Sequence, residues 1–187
     1  MAKSTTNGLT HAYYGKIGDM VLRRFGNKSI LQKLPDFSGV RWSKAQRANR
    51  KRFAGAAGYA HQAMADPDLY SFYKKKAKKG QTAWNVAISD YMLRPTISEI
   101  DIHNYKGMKG DTVAVRAHDK YKVAAVLVFI YNAMGMEVES GMAVEMYNGR
   151  FEWVYQAMED NSRMTGGRIE VRVADQAGNV VRSTCGT

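Results

Sequence analysis

The spacing of apolar positions changes character once along this chain, at Arg94-Pro95. Before that point apolar residues recur at helical intervals after an initial hairpin; beyond it they alternate with period 2. Ile17 to Leu34 reads as a β-hairpin, with Met20-Val21-Leu22 and Ser29-Ile30-Leu31 flanking Gly26-Asn27. That dipeptide readily takes the positive φ angles of a tight turn, and Pro35 ends the second strand. Ser43 followed by Gln46 fits a capping box and opens a helix over KAQRANRKRFAGAAGYAHQAMA. Phe53, Ala57, Ala60 and Met64 share one stripe of it, while Lys44, Arg47 and Lys51 lie nearly opposite. Asp66-Pro67 stops this helix and starts a second, which runs to about Lys79 with Leu69, Phe72 and Tyr73 facing inward and Gly80 closing it. Thr82 caps a third helix, whose stripe is Trp84, Ile88, Tyr91 and Met92 and whose end is Pro95.

Strands follow. Alternation runs through Val113, Val115 and Ala117, through Phe151, Trp153, Tyr155 and Ala157, and through Ile169, Val171 and Val173. Val126 to Tyr131 is apolar without interruption, the pattern of a strand in the middle of a packed sheet. Turn signals at Lys106-Gly107, Lys109 to Asp111, Asn132 to Gly135, Asn148-Gly149, Gly166-Gly167 and Gln176 to Asn179 leave about seven strands. That spacing predicts a β-sandwich of the immunoglobulin-like size class, without an inter-sheet disulfide, because Cys185 is the single cysteine. The expected fold is therefore α+β. Residues 1–95 form a hairpin plus three short helices, and residues 96–187 form an all-β sandwich. Trp84, Phe53, Trp153 and Val128 are expected in the core.

Charge sharpens this division. The net charge of +11 is distributed as +13 over residues 1–95 and −2 over the rest. Lys44, Arg47, Arg50, Lys51 and Arg52, with Lys74 to Lys79, interleave with Trp42, Tyr59, Tyr70 and Tyr73. The lysines in the last turns of the second helix suit the partial negative charge of its carbonyl end. A charged face is most often simply solvated, but this one also suits an acidic protein surface or nucleic-acid phosphate. The helices lack a clear helix-turn-helix pairing and the strands lack the aromatic ribonucleoprotein signature. Residues 1–14 are polar up to Tyr13 and Tyr14, and read equally as a tail or as an arm that orders on a neighbouring subunit.

Catalytic motifs are missing from the sequence. The four histidines, His11, His61, His103 and His118, sit in no nucleophile pattern, so the chain reads as a non-enzyme. Gly8 to Gly15 followed by Lys16 and Ile17 has the wrong spacing for a phosphate loop; Gly15 and Gly18 instead let the chain turn into the hairpin. Asp101, Asp111, Asp119 and Asp175 offer oxygen to calcium at one end of the sandwich but lack the alternating Asp/Asn pattern of a calcium loop. Asp175 and Asn179 around Gly178 are expected to shape a turn, and no cofactor or metal is expected. No apolar run is long enough to span a membrane, and residues 1–15 lack the apolar run of a secretory signal, so a reducing cytoplasm is the expected setting.

The stretch Gly15 to Val21, then Gly26-Asn27-Lys28, Lys33-Leu34-Pro35 and Ser43 with Gln46, Arg50, Arg52 and Phe53, resembles small proteins of Bacteroides-type bacteria and their phages or prophages. Thr96 to Asp101, Tyr105, Gly107, Gly110-Asp111, Trp153-Val154-Tyr155 and Ala174-Asp175 to Gly178-Asn179 resemble the bacterial immunoglobulin-like domain that follows that region. The resemblance implies a structural component of a phage or prophage particle: an auxiliary capsid, neck or decoration protein in an oligomeric assembly, assembled in the bacterial cytoplasm and carried in the virion. The basic module would anchor it to an acidic surface of other virion subunits through Tyr13, Tyr14, Arg23, Arg24, Arg47, Lys51, Lys74 and Lys75. The rival expectation is a cytoplasmic nucleic-acid-binding protein that uses the same basic helices. A surface adhesin is a third, opposed by the missing export signal.

Overall fold

The computed structural model describes residues 2–4, 14–25, 28–146 and 151–187. The chain divides into two compact units, Met1–Gln46 and Arg47–Thr187. The composition break at Arg94-Pro95 is therefore not where the packing divides, since the three helices share a unit with the strands that follow them.

In the first unit, β1 (Ala2–Ser4), β2 (Gly15–Ile17), β3 (Met20–Phe25) and β4 (Lys28–Lys33) form one antiparallel sheet in the order β1-β4-β3-β2. The expected two-stranded hairpin is its centre. Pairing of Phe25 with Lys28 leaves two residues between the strands, Gly26 and Asn27, which lie outside the described residues. An isolated hairpin is marginal in water, and here each of its edges gains a further strand. Ile17 pairs with Met20 across Gly18-Asp19, and Gly18 holds φ +60°, where a side chain would be strained.

The helices follow, the first of them starting in the last three residues of the first unit and running into the second. In α1 (Lys44–Ala65) the capping box is formed: the Ser43 amide donates to Gln46 Oε1 at 2.8 Å and the Gln46 amide to Ser43 Oγ at 3.2 Å. Asp66 caps α2 (Pro67–Lys76) by accepting from the Asp68 and Leu69 amides, and Thr82 caps α3 (Ala83–Met92) by accepting from the Asn85 amide. The starts agree with expectation, but the buried faces are rotated. On α1 the buried positions are Ala56, Ala60 and Ala63, whereas Phe53 is 53% exposed. On α3 they are Ala83, Val86, Ala87 and Asp90, with Trp84, Ile88, Tyr91 and Met92 half-buried along their flanks. A Cβ on Gly55 would stand 2.9 Å from the Tyr91 hydroxyl, so the glycine leaves room for that side chain, while Ala60 and Ala63 of α1 join Tyr73, Ala83, Val86 and Ala87 in one buried cluster.

The strands are β5 (Thr96–Asp101), β6 (Thr112–His118), β7 (Val123–Tyr131), β8 (Glu137–Met142), β9 (Val144–Met146), β10 (Glu152–Gln156), β11 (Arg168–Asp175) and β12 (Val180–Gly186). They form two antiparallel sheets, β5-β6-β10-β9 and β12-β11-β7-β8. Val113, Val115, Ala117, Trp153 and Tyr155 from the first share one core with Val126, Val128, Ile130, Ile169, Val171 and Val173 from the second. The molecule is thus mixed α+β and rich in strands. Phe151 departs from the expected alternation: it precedes β10, has φ +56° and is exposed. β7 is central in its sheet, yet only one of its faces is core. On the other face the guanidinium groups of Arg172 and Arg168 lie 4.1 Å and 4.2 Å from the ring centroids of Phe129 and Tyr131, covering apolar surface while keeping their charge wet. No helix among the described residues is long and apolar enough to cross a membrane.

Candidate functional site

The residues predicted to anchor the protein do not form one constellation. Tyr13 lies outside the described residues. Tyr14, Arg23 and Arg24 belong to the first unit and are exposed, the two arginines on opposite faces of β3 because they are consecutive in a strand. Arg47, Lys51, Lys74 and Lys75 belong to the second unit and are exposed as well. Arg47 and Lys51 stand one turn apart on α1, with no ion-pair or hydrogen-bond partner among the described residues. The ammonium of Lys74 lies 5.6 Å from the Tyr70 ring centroid.

α1 itself is unusual. From Lys44 to Gly55 every residue is exposed, so its first three turns bury no face. Helices of that length are stabilised in water mainly by packing an apolar side, which this half lacks. Phe53 lines a shallow groove with Asn49, Arg50, Ala54 and Met92, and Arg52 donates to the Met92 carbonyl at 2.6 Å, fastening the middle of α1 to the end of α3.

A second constellation lies where the helices meet one end of the strands, all within the second unit. Tyr73 on α2 donates its hydroxyl proton to Asp90 Oδ2 at 2.6 Å. The Tyr59 hydroxyl on α1 is 2.6 Å from that of Tyr73 and 3.2 Å from the Gln176 carbonyl. With the proton of Tyr73 committed to Asp90, the single hydroxyl proton of Tyr59 is shared between the Tyr73 oxygen and the Gln176 carbonyl. Burial, followed by the hydrogen bond to Asp90, pushes the Tyr73 phenol far above its ordinary value, so it stays a donor at any physiological pH.

Around Asp90 stand Asp119, in the turn between β6 and β7, and Asp175, at the end of β11; one carboxylate oxygen of each lies within 4.8 Å of the others. Asp90 is pushed up to about 6, first by burial and then by the negative charges of Asp175 and Asp119, against the lowering effect of the Tyr73 bond. Burial raises Asp175 too, opposed by two hydrogen bonds from Asn179: the amide to Oδ1 and the side-chain Nδ2 to Oδ2, both at 2.7 Å. Asn179 Nδ2 also approaches the last carbonyls of α3, at 2.7 Å from Leu93 and 3.3 Å from Asp90 and Tyr91. The turn expected from Asp175 to Asn179 is therefore present, and its side chain additionally caps a helix 86 residues away in sequence.

Of the four aspartates weighed in the sequence as oxygen donors, Asp119 and Asp175 converge and the other two do not. Asp101 pairs with His103 at 2.7 Å, and Asp111 holds the Lys106 and Met108 amides; both are exposed enough that these bonds keep them below the usual carboxylate range. The third member, Asp90, is hidden by its setting in a mostly apolar helix. The one signal for it was its place in the i, i+3, i+4, i+7 series Ala83, Val86, Ala87, Asp90.

No protein-family model matches the sequence, and no curated protein matches it. Among solved structures, part of the chain is similar to a fungal alcohol oxidase of the AA5 family in complex with copper, at 13% identity and a TM-score of 0.34. The alignment covers 49% of this chain and 20% of that one, so this chain spans about a fifth of the oxidase, and a likeness this low carries no argument about fold or activity.

Proposed function

We propose that the chain is a non-enzymatic structural protein that joins a larger assembly, a phage or prophage particle, as an auxiliary capsid, neck or decoration component. In this reading its strands form an immunoglobulin-like sandwich, and the cationic faces of α1 and α2 seat it on an acidic surface of neighbouring subunits. The observation that carries the attachment is the exposure of α1 from Lys44 to Gly55 on every side, with Arg47 and Lys51 unpartnered among the described residues. A cationic helix half that buries no face gains most from a surface that neutralises it, and Phe53 beside it offers an apolar contact at the centre of the same patch.

Strand order supports the sandwich. Lettered from A at β5, the two sheets run A-B-E-D and G-F-C-C′, the arrangement of immunoglobulin-like domains with one added strand. Such a domain supplies shape and a binding edge, and needs no catalytic group.

Charge reversal tests the attachment. The double variant Arg47→Glu/Lys51→Glu is expected to keep its circular dichroism and unfolding midpoint, because exposed positions of this kind change stability by less than about 0.5 kcal/mol. Its co-sedimentation with particles from the native cell should fall at least tenfold. Unchanged incorporation overturns the electrostatic anchor. A gel shift with duplex DNA that weakens steeply from low to high salt would transfer the same residues to phosphate recognition, the rival reading.

A further inference from the structure

We propose that Asp90, Asp119 and Asp175 bind a divalent cation of the calcium class, which ties the end of α3 to the β6–β7 turn and the β11–β12 hairpin. Two oxygens facing each other across calcium stand about 4.6–5.2 Å apart, given metal–oxygen distances of about 2.3–2.6 Å. The three carboxylate oxygens here all fall within 4.8 Å of one another, the spacing of groups that share a centre.

Proximity of acids alone would say little; the decisive observation is which oxygens are left over. Asp90 is fully buried, and its Oδ1 has no hydrogen-bond partner. Asp119 Oδ1 is also buried and also has none. Each of these carboxylates has its other oxygen held in place: Asp90 Oδ2 by the Tyr73 hydroxyl, and Asp119 Oδ2 by the Tyr121 and Lys122 amides at 2.7 Å and 3.2 Å. Both oxygens of Asp175 are steadied by Asn179. One oxygen fixed by a donor and the other open is how the outer shell of a metal site orients its ligands.

The electrostatics agree. Among the described residues the ion pairs are His103–Asp101, Arg116–Glu99 and Arg172–Glu170, and none reaches these three aspartates. Lys120, next in sequence to Asp119, directs its ammonium to Ser89 Oγ at 3.4 Å and over the Tyr121 ring. The carbonyl end of α3 faces the same place and adds negative potential. Clustered carboxylates with no cationic partner are strongly unfavourable when buried, and one divalent ion offsets the charge of all three while meeting the open oxygens of Asp90 and Asp119. The donor set is entirely oxygen, which selects a hard cation over zinc or copper. Three carboxylates supply half or less of calcium's six to eight ligands, and carbonyls and water complete such spheres.

The test uses the full chain, stripped with EDTA and titrated with CaCl2 at pH 7.5 by calorimetry and thermal unfolding, against NaCl at matched ionic strength. One calcium per chain is expected, with an unfolding midpoint that climbs throughout the titration. At calcium one hundred times its dissociation constant, the folded-to-unfolded ratio should be about 100-fold higher. Asp119→Asn keeps an acceptor for the Tyr121 and Lys122 amides, so it should fold and lose the response. Asp90→Asn should raise the metal-free midpoint and also lose the response, which decides the matter if the first variant does not fold. Asp101→Asn, at the exposed histidine pair, should respond as the native chain does. The proposal is overturned by the absence of heat and shift up to about 10 mM calcium, well above the range of the weakest calcium modules. It is equally overturned by an identical shift in NaCl, or by a response undiminished in both Asp119→Asn and Asp90→Asn.

Discussion

Asp90 carries a charge where burial opposes one, and that opposition sets a pH dependence with a definite sign. The groups facing it are Tyr73 from α2, with Tyr59 of α1 behind it, Asp119 from the β6–β7 turn, and Asp175 and Asn179 from the β11–β12 hairpin. Its folded value of about 6 lies above the ordinary 3.8, so between these limits the native state holds the extra proton. Stability from this group is therefore fully present below about pH 4 and is lost as pH rises through 6. In EDTA, urea midpoints should fall between pH 4.5 and 7.5 by an amount equivalent to roughly 2 kcal/mol, at 1.36 kcal/mol for each unit of displacement and with part of the loss already past at pH 4.5. Asp90→Asn should flatten that slope, and a slope unchanged in the variant would contradict the assignment. Asp101 and Asp111 act in the opposite sense. Held below the ordinary range by backbone and side-chain donors, they favour the fold above about pH 4 and release it in stronger acid, outside the window of Asp90.

At the scale of elements, starts and stops are governed by neighbouring residues, and these are legible in the sequence. Ser43 with Gln46, Asp66 with Pro67, and Thr82 each satisfy amides within one turn, so no distant group enters. The face that a helix buries is different, because it depends on what it meets. Phe53 is the largest apolar residue in the middle of α1 and reads as core, yet Ala56, Ala60 and Ala63 are the contact. Changes of side-chain size separate the two readings: Phe53→Ser should shift the unfolding free energy by less than about 0.5 kcal/mol. Ala60→Leu, by overfilling the approach to α2 and α3, should cost about 1–3 kcal/mol in the same denaturant assay. The strands repeat the contrast. β6 and β11 follow their alternation position by position, while the unbroken apolar run of β7 conceals that Leu127, Phe129 and Tyr131 turn toward the guanidinium-covered face.

For the whole molecule, the unit that begins at Arg47 is tied together by contacts far apart in sequence. Tyr59 reaches the Gln176 carbonyl, Asn179 reaches the carbonyls of Asp90, Tyr91 and Leu93, and Tyr121 packs on the helical cluster of Ala60, Tyr73 and Val86. A fragment of residues 47–187 is therefore expected to unfold cooperatively. A fragment of residues 96–187, cut where the charge and periodicity change, deprives Asn179 of its helix carbonyls and bares Tyr121, which loses the helical cluster it packs on. Its unfolding free energy should be at least about 2 kcal/mol lower, the expense of leaving buried polar groups unmatched. Equal stability of the two fragments would refute this coupling.

What the chain's order of residues settles by itself is the local chemistry. The caps, the tight turns, the change from helical to alternating period and the cationic character of the first half all follow from interactions within a few positions. Tertiary packing alone decided the rest: which helix faces are buried, where the compact units part, and the meeting of Asp90, Asp119 and Asp175 from a helix, a turn and a strand end. The reason is that a side chain's burial and its electrostatic company are properties of the surfaces brought against it. An aspartate 29 residues from one partner and 56 from the next leaves no trace of that company in its own neighbourhood of the sequence.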